Sequence, residues 1–167
     1  MYQFRPRRAF ALAATTAVAA GAIVGTGAIV GTGASAAKTP RAHAAGSTVH
    51  VIEHAVTDTV IPSGGGKDKK GNLLTFNNNV YNLANTKIVG HDEGFCTRIA
   101  PKDGSWECLW TTFLPAGQIT VQGPYYDTRN SVLSITGGTG SYRDDRGQMK
   151  LLARDGGKEY DFIFQLS

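Results

Sequence analysis

Glu53 is the residue in this chain best placed to do chemistry. It lies in the β-branched run 48–59. The two-residue period of a strand puts Val49, Val51, Glu53 and Ala55 on one face and His50, Ile52, His54 and Val56 on the other. A carboxyl group sharing a face with small apolar residues either lines an interior or stands hydrated at its rim. In an interior, loss of water favours the neutral acid unless a cation or donors compensate, and such a group is a candidate acid, base or counter-charge. His50 and His54 have metal-ligand spacing only on a helix; on a strand rising ~3.3 Å per residue they stand about 13 Å apart. His91-Asp92-Glu93 reads as a solvated turn or strand edge and not as a ligand cluster. With no zinc-type cysteine spacing and no Gly-x-Ser-x-Gly elbow, neither a metal nor a cofactor is expected.

Cys96 and Cys108 flank Pro101–Ser105, whose Asp103-Gly104 is a strong hairpin-turn signal. Register decides whether they can bond. A two-residue loop sets Cys96 opposite Thr111 and Cys108 opposite Ile99, on opposite faces, so two free thiols are expected; a three-residue loop would bring them together. Gly137-Gly138-Thr139-Gly140 lacks the Gly-Lys-Ser/Thr continuation and the following helix of a phosphate loop. It reads as a tight turn or bulge.

These residues need elements to hold them. Short β-branched and aromatic runs recur between Gly, Pro, Asn and Asp clusters, and helical spacing is hard to find. About eight strands are expected, near 48–59, 72–81, 86–99, 106–114, 118–123, 131–136, 146–153 and 160–166. A sheet of that length with little to cover its edges is most economically closed on itself, which creates an interior for side chains or a ligand. The expected fold is all-β, a small antiparallel barrel occupying residues 45–167, with Phe76, Phe95, Trp110 and Tyr125 as aromatic material for its interior.

The first 44 residues read differently, as an export signal and unstructured linker. Three arginines lie within the first eight residues, residues 9–37 carry no charge, and Ala-Ser-Ala and Ala-His-Ala sequences follow as cleavage sites. Arg7-Arg8 loosely fits a twin-arginine signal. Glycine and threonine dilute the apolar stretch, so a cleaved signal and a secreted protein are expected, with no membrane span left after cleavage. The full chain of 167 residues has 17 Lys and Arg against 13 Asp and Glu. Five of those basic residues precede residue 45, so the domain keeps 17 − 5 = 12 against 13, a net charge of −1. That balance argues against nucleic acid as a partner.

Several segments together resemble the allene oxide cyclase family, and more weakly the dirigent proteins. They are Val51-Ile-Glu53, the run 71–81 (GNLLTFNNNVY), Gly94-Phe-Cys96, the run 118–125 (QITVQGPY), and 133–142 (LSITGGTGSY) leading into 146–151 (RGQMKL). The resemblance implies an eight-stranded barrel with an apolar cavity, often as a homotrimer. It also implies a hydrophobic partner, a lipid, polyene or aromatic small molecule, folded in that cavity for intramolecular cyclisation or isomerisation. By the same resemblance Glu53 matches the acid that stabilises developing positive charge, Pro62 and Asn78 match positions that hold a water, and Cys96 and Tyr125 match cavity-lining residues. Ala55 and Ile61 stand where the family has a water-binding Asn and a Ser. A non-catalytic dirigent-like or lipocalin-like binding module is the other reading of the same barrel.

Overall fold

The computed structural model describes residues 46–66 and 68–167; the export signal expected before residue 45 lies outside them. The strands are β1 (Thr48–His54), β2 (Thr59–Ile61), β3 (Leu73–Tyr81), β4 (Ile88–Ala100), β5 (Ser105–Leu114), β6 (Gly117–Tyr126), β7 (Ser131–Gly138), β8 (Gly147–Arg154) and β9 (Glu159–Leu166). From β3 to β9 each strand pairs antiparallel with the next, β9 pairs with β1, and β1 returns to β3 through Ile52↔Tyr81 and Glu53↔Val80. Eight strands thus close an antiparallel barrel, and closure satisfies the edge groups that an open sheet would expose. Among the described residues no helix is long and apolar enough to cross a membrane.

The short β2 is a continuation of β1. Both lie against β3, but between Glu53↔Val80 and Thr59↔Thr75 five residues, 54–58, face only four of β3, 76–79. The extra residue breaks the ladder, and the stretch expected as one strand over 48–59 is therefore two. The expected bulge near Gly137 is present: Thr120↔Gly137 is followed by Val121↔Ile135, which skips Thr136.

The cysteines correct the expectation of free thiols. Cys96 and Cys108 are direct register partners and form a disulfide. The loop is longer than two residues: Pro101–Asp103 make a 3-10 turn closed by Gly104 at φ +62, and the register of β4 on β5 shifts between Arg98 and Ala100. Those extra residues bring the two side chains onto the same face.

Alternation along the strands fills the interior. Val51, Trp110, Val121, Leu133, Met149, Leu151, Phe162 and Phe164 are all buried in one cluster. Gly94 is the register partner of Trp110, and a Cβ at Gly94 would collide with the Cβ of Trp110. The missing side chain is what lets the indole lie across β4. Phe95, one residue on, faces outward and is 46% exposed, so it contributes nothing to the interior expected of it.

Candidate active site

The cavity inside the barrel is apolar on most of its wall. Phe76, Trp110 and Phe162 supply an aromatic side, with Phe76 edge-on to Trp110 at 6.0 Å and Trp110 tilted against Phe162 at 5.6 Å. Leu74, Leu151 and the Cys96–Cys108 disulfide extend that surface. Tyr125 and Tyr160 close one flank, their hydroxyls 2.9 Å apart. Burial pushes both phenols above their usual range, so both are neutral hydrogen-bonding groups.

Glu53 projects into this wall from β1, as its place in the alternation requires, and is only 4% exposed. Asn78, opposite on β3, organises everything around it. Its Nδ2 donates to Glu53 Oε1 at 2.5 Å and to Asp58 Oδ1 at 2.7 Å. Its Oδ1 accepts from the backbone N–H groups of Val56 and Thr57 at 3.0 and 2.8 Å. Those two N–H groups lie in the stretch where the β1–β2 ladder breaks, so the Asn78 amide replaces lost strand pairing and fixes Glu53 in one step. With both amide donors taken, Asn78 holds no proton free for a water or a guest.

Asp92 is the residue that sequence reasoning misplaced. Expected at a solvated turn or edge, it is instead a fully buried residue on the inner face of β4, register partner of Asn78 on one side and Thr112 on the other. One of its oxygens accepts from the Asn78 backbone N–H at 3.2 Å. Its other oxygen, Oδ2, and the Thr112 hydroxyl have no hydrogen-bond partner among the described residues. A signal for this was present: counting back in twos from Cys96 gives Gly94 and then Asp92 on the same face.

Three carboxyl groups therefore meet at Asn78, Glu53 and Asp58 on its side-chain amide and Asp92 on its backbone N–H, and no ion pair among the described residues neutralises any of them. Loss of water, then the negative charges of Asp92 and Asp58, push Glu53 from 4.5 to about 9 against the smaller opposing effect of the Asn78 bond. Loss of water also pushes Asp92, from 3.8 to about 7. Near neutral pH Glu53 is thus a carboxylic acid, with Asn78 on one oxygen and a proton available at the other.

The chemistry such a wall allows is proton donation, or a strong hydrogen bond, to a guest lying against the aromatic side. Sequence profiles point to one group of proteins for this barrel: the profile described as allene oxide cyclase matches residues 51–154, more than half of the chain.

The chain belongs to the allene oxide cyclase family.

Solved structures give the same fold at low identity. A pyocyanin demethylase superposes with a TM-score of 0.64 at 22% identity, covering 72% of this chain and 100% of that one. A pterocarpan synthase dirigent protein gives 0.57 at 19%, covering 70% and 82%. An exo-specific intermolecular Diels–Alderase gives 0.52 at 16%, covering 72% and 98%. At these identities the likeness establishes architecture, and function has to be argued from the site.

Of the positions carried over from the cyclase family, the barrel brings Glu53, Asn78, Cys96 and Tyr125 together: Glu53, Cys96 and Tyr125 line the cavity, and Asn78 stands directly behind Glu53. Cys96 does so as half of a disulfide. Pro62 does not join them; it is exposed beyond the end of β2 and outside the cavity wall. Asp58, Asp92, Cys108, Tyr160 and Phe162 complete the site. Tyr160 and Phe162 became legible only with register, which pairs Glu53 with Tyr160 and Val51 with Phe162.

Proposed function

We propose that this barrel binds a flat, hydrophobic small molecule against Phe76, Trp110 and Phe162, and that Glu53 acts on it as a neutral acid to promote an intramolecular cyclisation or isomerisation. The observation that carries this reading is a carboxyl group buried in an aromatic cavity, with two more carboxyl groups around it and no ion-pair partner among the described residues. A protonated Glu53 activates a carbonyl, epoxide or polyene by donating its proton, and takes it back when the ring has closed, so atoms balance without a co-reactant. The apolar wall folds the guest and keeps water from intercepting the cation. This differs from the ionised counter-charge that family resemblance implies for Glu53, and the difference follows first from burial and then from the charges of Asp92 and Asp58.

A secreted protein is part of the same proposal. The Cys96–Cys108 disulfide suits an oxidising compartment, as does the signal-like N-terminal sequence.

The second reading, a binding module that orients its guest without bond chemistry, is favoured by one observation. Asn78 spends both amide protons within the protein, and Ala55 and Ile61 bring no hydroxyl or amide to replace them.

Incubation of the purified protein with a lipid and polyketide extract separates the two readings. Isomers keep their mass, so released guests are compared by chromatographic retention and absorbance as well as mass. Expected is a guest released as an isomer by the wild type and released unchanged by Glu53→Gln, with equal binding. Equal conversion by Glu53→Gln would remove the acid role, and an unchanged guest from both would leave the binding module.

A further inference from the structure

The Cys96–Cys108 disulfide can be reached only from inside the barrel. The two cysteines are 2% and 1% exposed, yet both line the cavity, so a molecule from solution meets their sulfurs through the cavity and not through the wall. Alternation explains this: Cys96 shares the inner face of β4 with Asp92 and Gly94, and Cys108 shares that of β5 with Trp106 and Trp110. About 50 Å³ of the interior is open to the centres of water-sized molecules, roughly four waters, which admits a small neutral molecule and shuts out a bulky one. The proton donation proposed for Glu53 makes no use of the sulfurs.

A hydrogen-bond donor stands beside them. Register pairs Cys108 with Gly123, so Tyr125, two residues further along β6, is its diagonal neighbour on the inner face. The Tyr125 and Tyr160 hydroxyls share one hydrogen bond at 2.9 Å, which uses one of their two protons, and the other has no acceptor among the described residues. A carbonyl oxygen received by that hydroxyl pair directs the rest of a short conjugated molecule along the wall toward the sulfurs.

We propose that the cysteine pair is a redox-gated covalent site for small α,β-unsaturated carbonyl compounds, shut while the disulfide is closed and open once a small dithiol reductant has cleaved it. Reduction takes two electrons and two protons from the dithiol, which leaves as its cyclic disulfide, and the Cys96–Cys108 bond becomes two thiols. One of them, as thiolate, bonds to the β-carbon of the guest. The electron pair of the carbon–carbon double bond shifts onto the carbonyl oxygen, which takes a proton from the hydroxyl pair. That proton goes back as the α-carbon receives the one the thiol gave up, so the product is a thioether and no atom is lost. The oxidised barrel has no S–H to add and releases the same guest unchanged. In an oxidising compartment the disulfide therefore keeps the cavity reversible. This goes beyond the acid chemistry of Glu53 and does not depend on it.

Intact-mass measurement tests this. The folded protein is treated with dithiothreitol, freed of it in the absence of air, and exposed either to acrylamide, a small unsaturated amide, or to acrylamide carried on a polyethylene glycol chain. Expected is no adduct on the untreated protein and one acrylamide per chain after treatment, mapped to Cys96 or Cys108, since the first adduct fills the space. Relative to the reduced chain in urea, the folded protein should slow the polymer-bound reagent about tenfold more than acrylamide itself, because thiol reactivity follows access. Near-ultraviolet circular dichroism should show the barrel still folded after reduction. The site is overturned if the disulfide opens only in urea, if reduction abolishes the near-ultraviolet signal, or if the two reagents are slowed alike, which would put the thiols outside the cavity.

Discussion

Two polar clusters hang from the inner face of β4, one at Asp92 and one at Arg98, six residues and about 20 Å of strand apart. At Arg98 the charges close. Arg98 is 6% exposed; its guanidinium donates to Asp68 and Asp127 at 2.6 Å each and lies 4.3 Å over the Trp106 ring, while the Trp106 indole N–H donates to the other oxygen of Asp127 at 2.8 Å. At Asp92 they do not close: carboxyl groups face one another across Asn78, and two oxygens, on Asp92 and Thr112, have no partner among the described residues. A buried polar group is tolerated when it is compensated, and where compensation is missing the group changes its protonation state instead. The Arg98 cluster is therefore a device for stability and the Glu53–Asp92 cluster a device for chemistry, although the same strand carries both.

The largest effect should come from breaking the compensated cluster. Arg98→Ala removes two short ion pairs and the stacking on Trp106, and it leaves Asp127 bonded only to the indole. Asp68 and Asp127 keep some water, which limits the loss to about 4 kcal/mol. Urea denaturation at several pH values checks this, and the loss should be the same from pH 5 to pH 9 because the Arg98 guanidinium keeps its charge throughout. A strongly pH-dependent loss would erase the contrast between the clusters.

Next in size is Asn78→Leu, at about 3 kcal/mol. The substitution keeps the branched shape but is larger, and it takes the amide from buried Glu53 Oε1 and from the N–H groups of Val56 and Thr57, two exposed residues whose N–H groups can turn to water, so most of the loss falls at Glu53 and on the overpacked site. Hydrogen exchange should show faster opening across 55–58 while β6–β8 keep their protection. Unchanged exchange there would mean the amide does not hold the break between β1 and β2.

The Cys96–Cys108 bond crosses β4 and β5 between the two clusters, closing a sequence separation of 12. Reduction, or Cys96→Ala with Cys108→Ala, should cost about 2 kcal/mol from the freed unfolded chain. The same treatment should also alter the affinity of aromatic guests, since both sulfurs line the cavity. Loss of stability with wholly unchanged guest affinity would make this bond part of the scaffold alone.

Much of this architecture is written in the sequence through period two. The alternation around Glu53 places it inward, and the spacing of turn residues marks the strands to within a few positions. Long-range register is not written there. The extra residue between Glu53 and Thr59 shows only against β3, the cysteine pairing depends on how Pro101–Gly104 turns, and Tyr160 joins Glu53 only because β9 closes on β1. Asp92 is the instructive miss. Flanked by His91 and Glu93 it has the local polarity of an exposed segment, but His91 and Glu93 face outward on the same strand, and polarity averaged over neighbours cannot separate two faces. His91 lies flat on Phe113 with ring centroids 4.5 Å apart, and Glu93 is exposed and accepts from Asn77.

The last effect is the most diagnostic, because it reads the uncompensated cluster alone. Folding raises Glu53 from 4.5 to about 9 and Asp92 from 3.8 to about 7, so in those intervals the folded barrel keeps protons that the unfolded chain has released. Raising the pH then favours unfolding: stability is greatest at the acid end and falls by about 1.4 kcal/mol per pH unit for each group still protonated only in the barrel. Both groups contribute up to about pH 7 and Glu53 alone between about 7 and 9. Glu53→Gln keeps the shape and the Asn78 bond but has no proton to lose, so its stability should stay level from pH 7 to pH 9 where the wild type declines. Asp92→Asn should make the lower interval shallower and, by removing the larger of the two charges acting on it, bring the Glu53 titration to lower pH. An infrared protonated-carboxyl band that persists at pH 8 in the wild type and disappears in Glu53→Gln would assign the proton directly. If instead the Glu53→Gln and wild-type stability curves run parallel from pH 7 to pH 9, Glu53 is already ionised, and the two clusters on β4 are compensated alike.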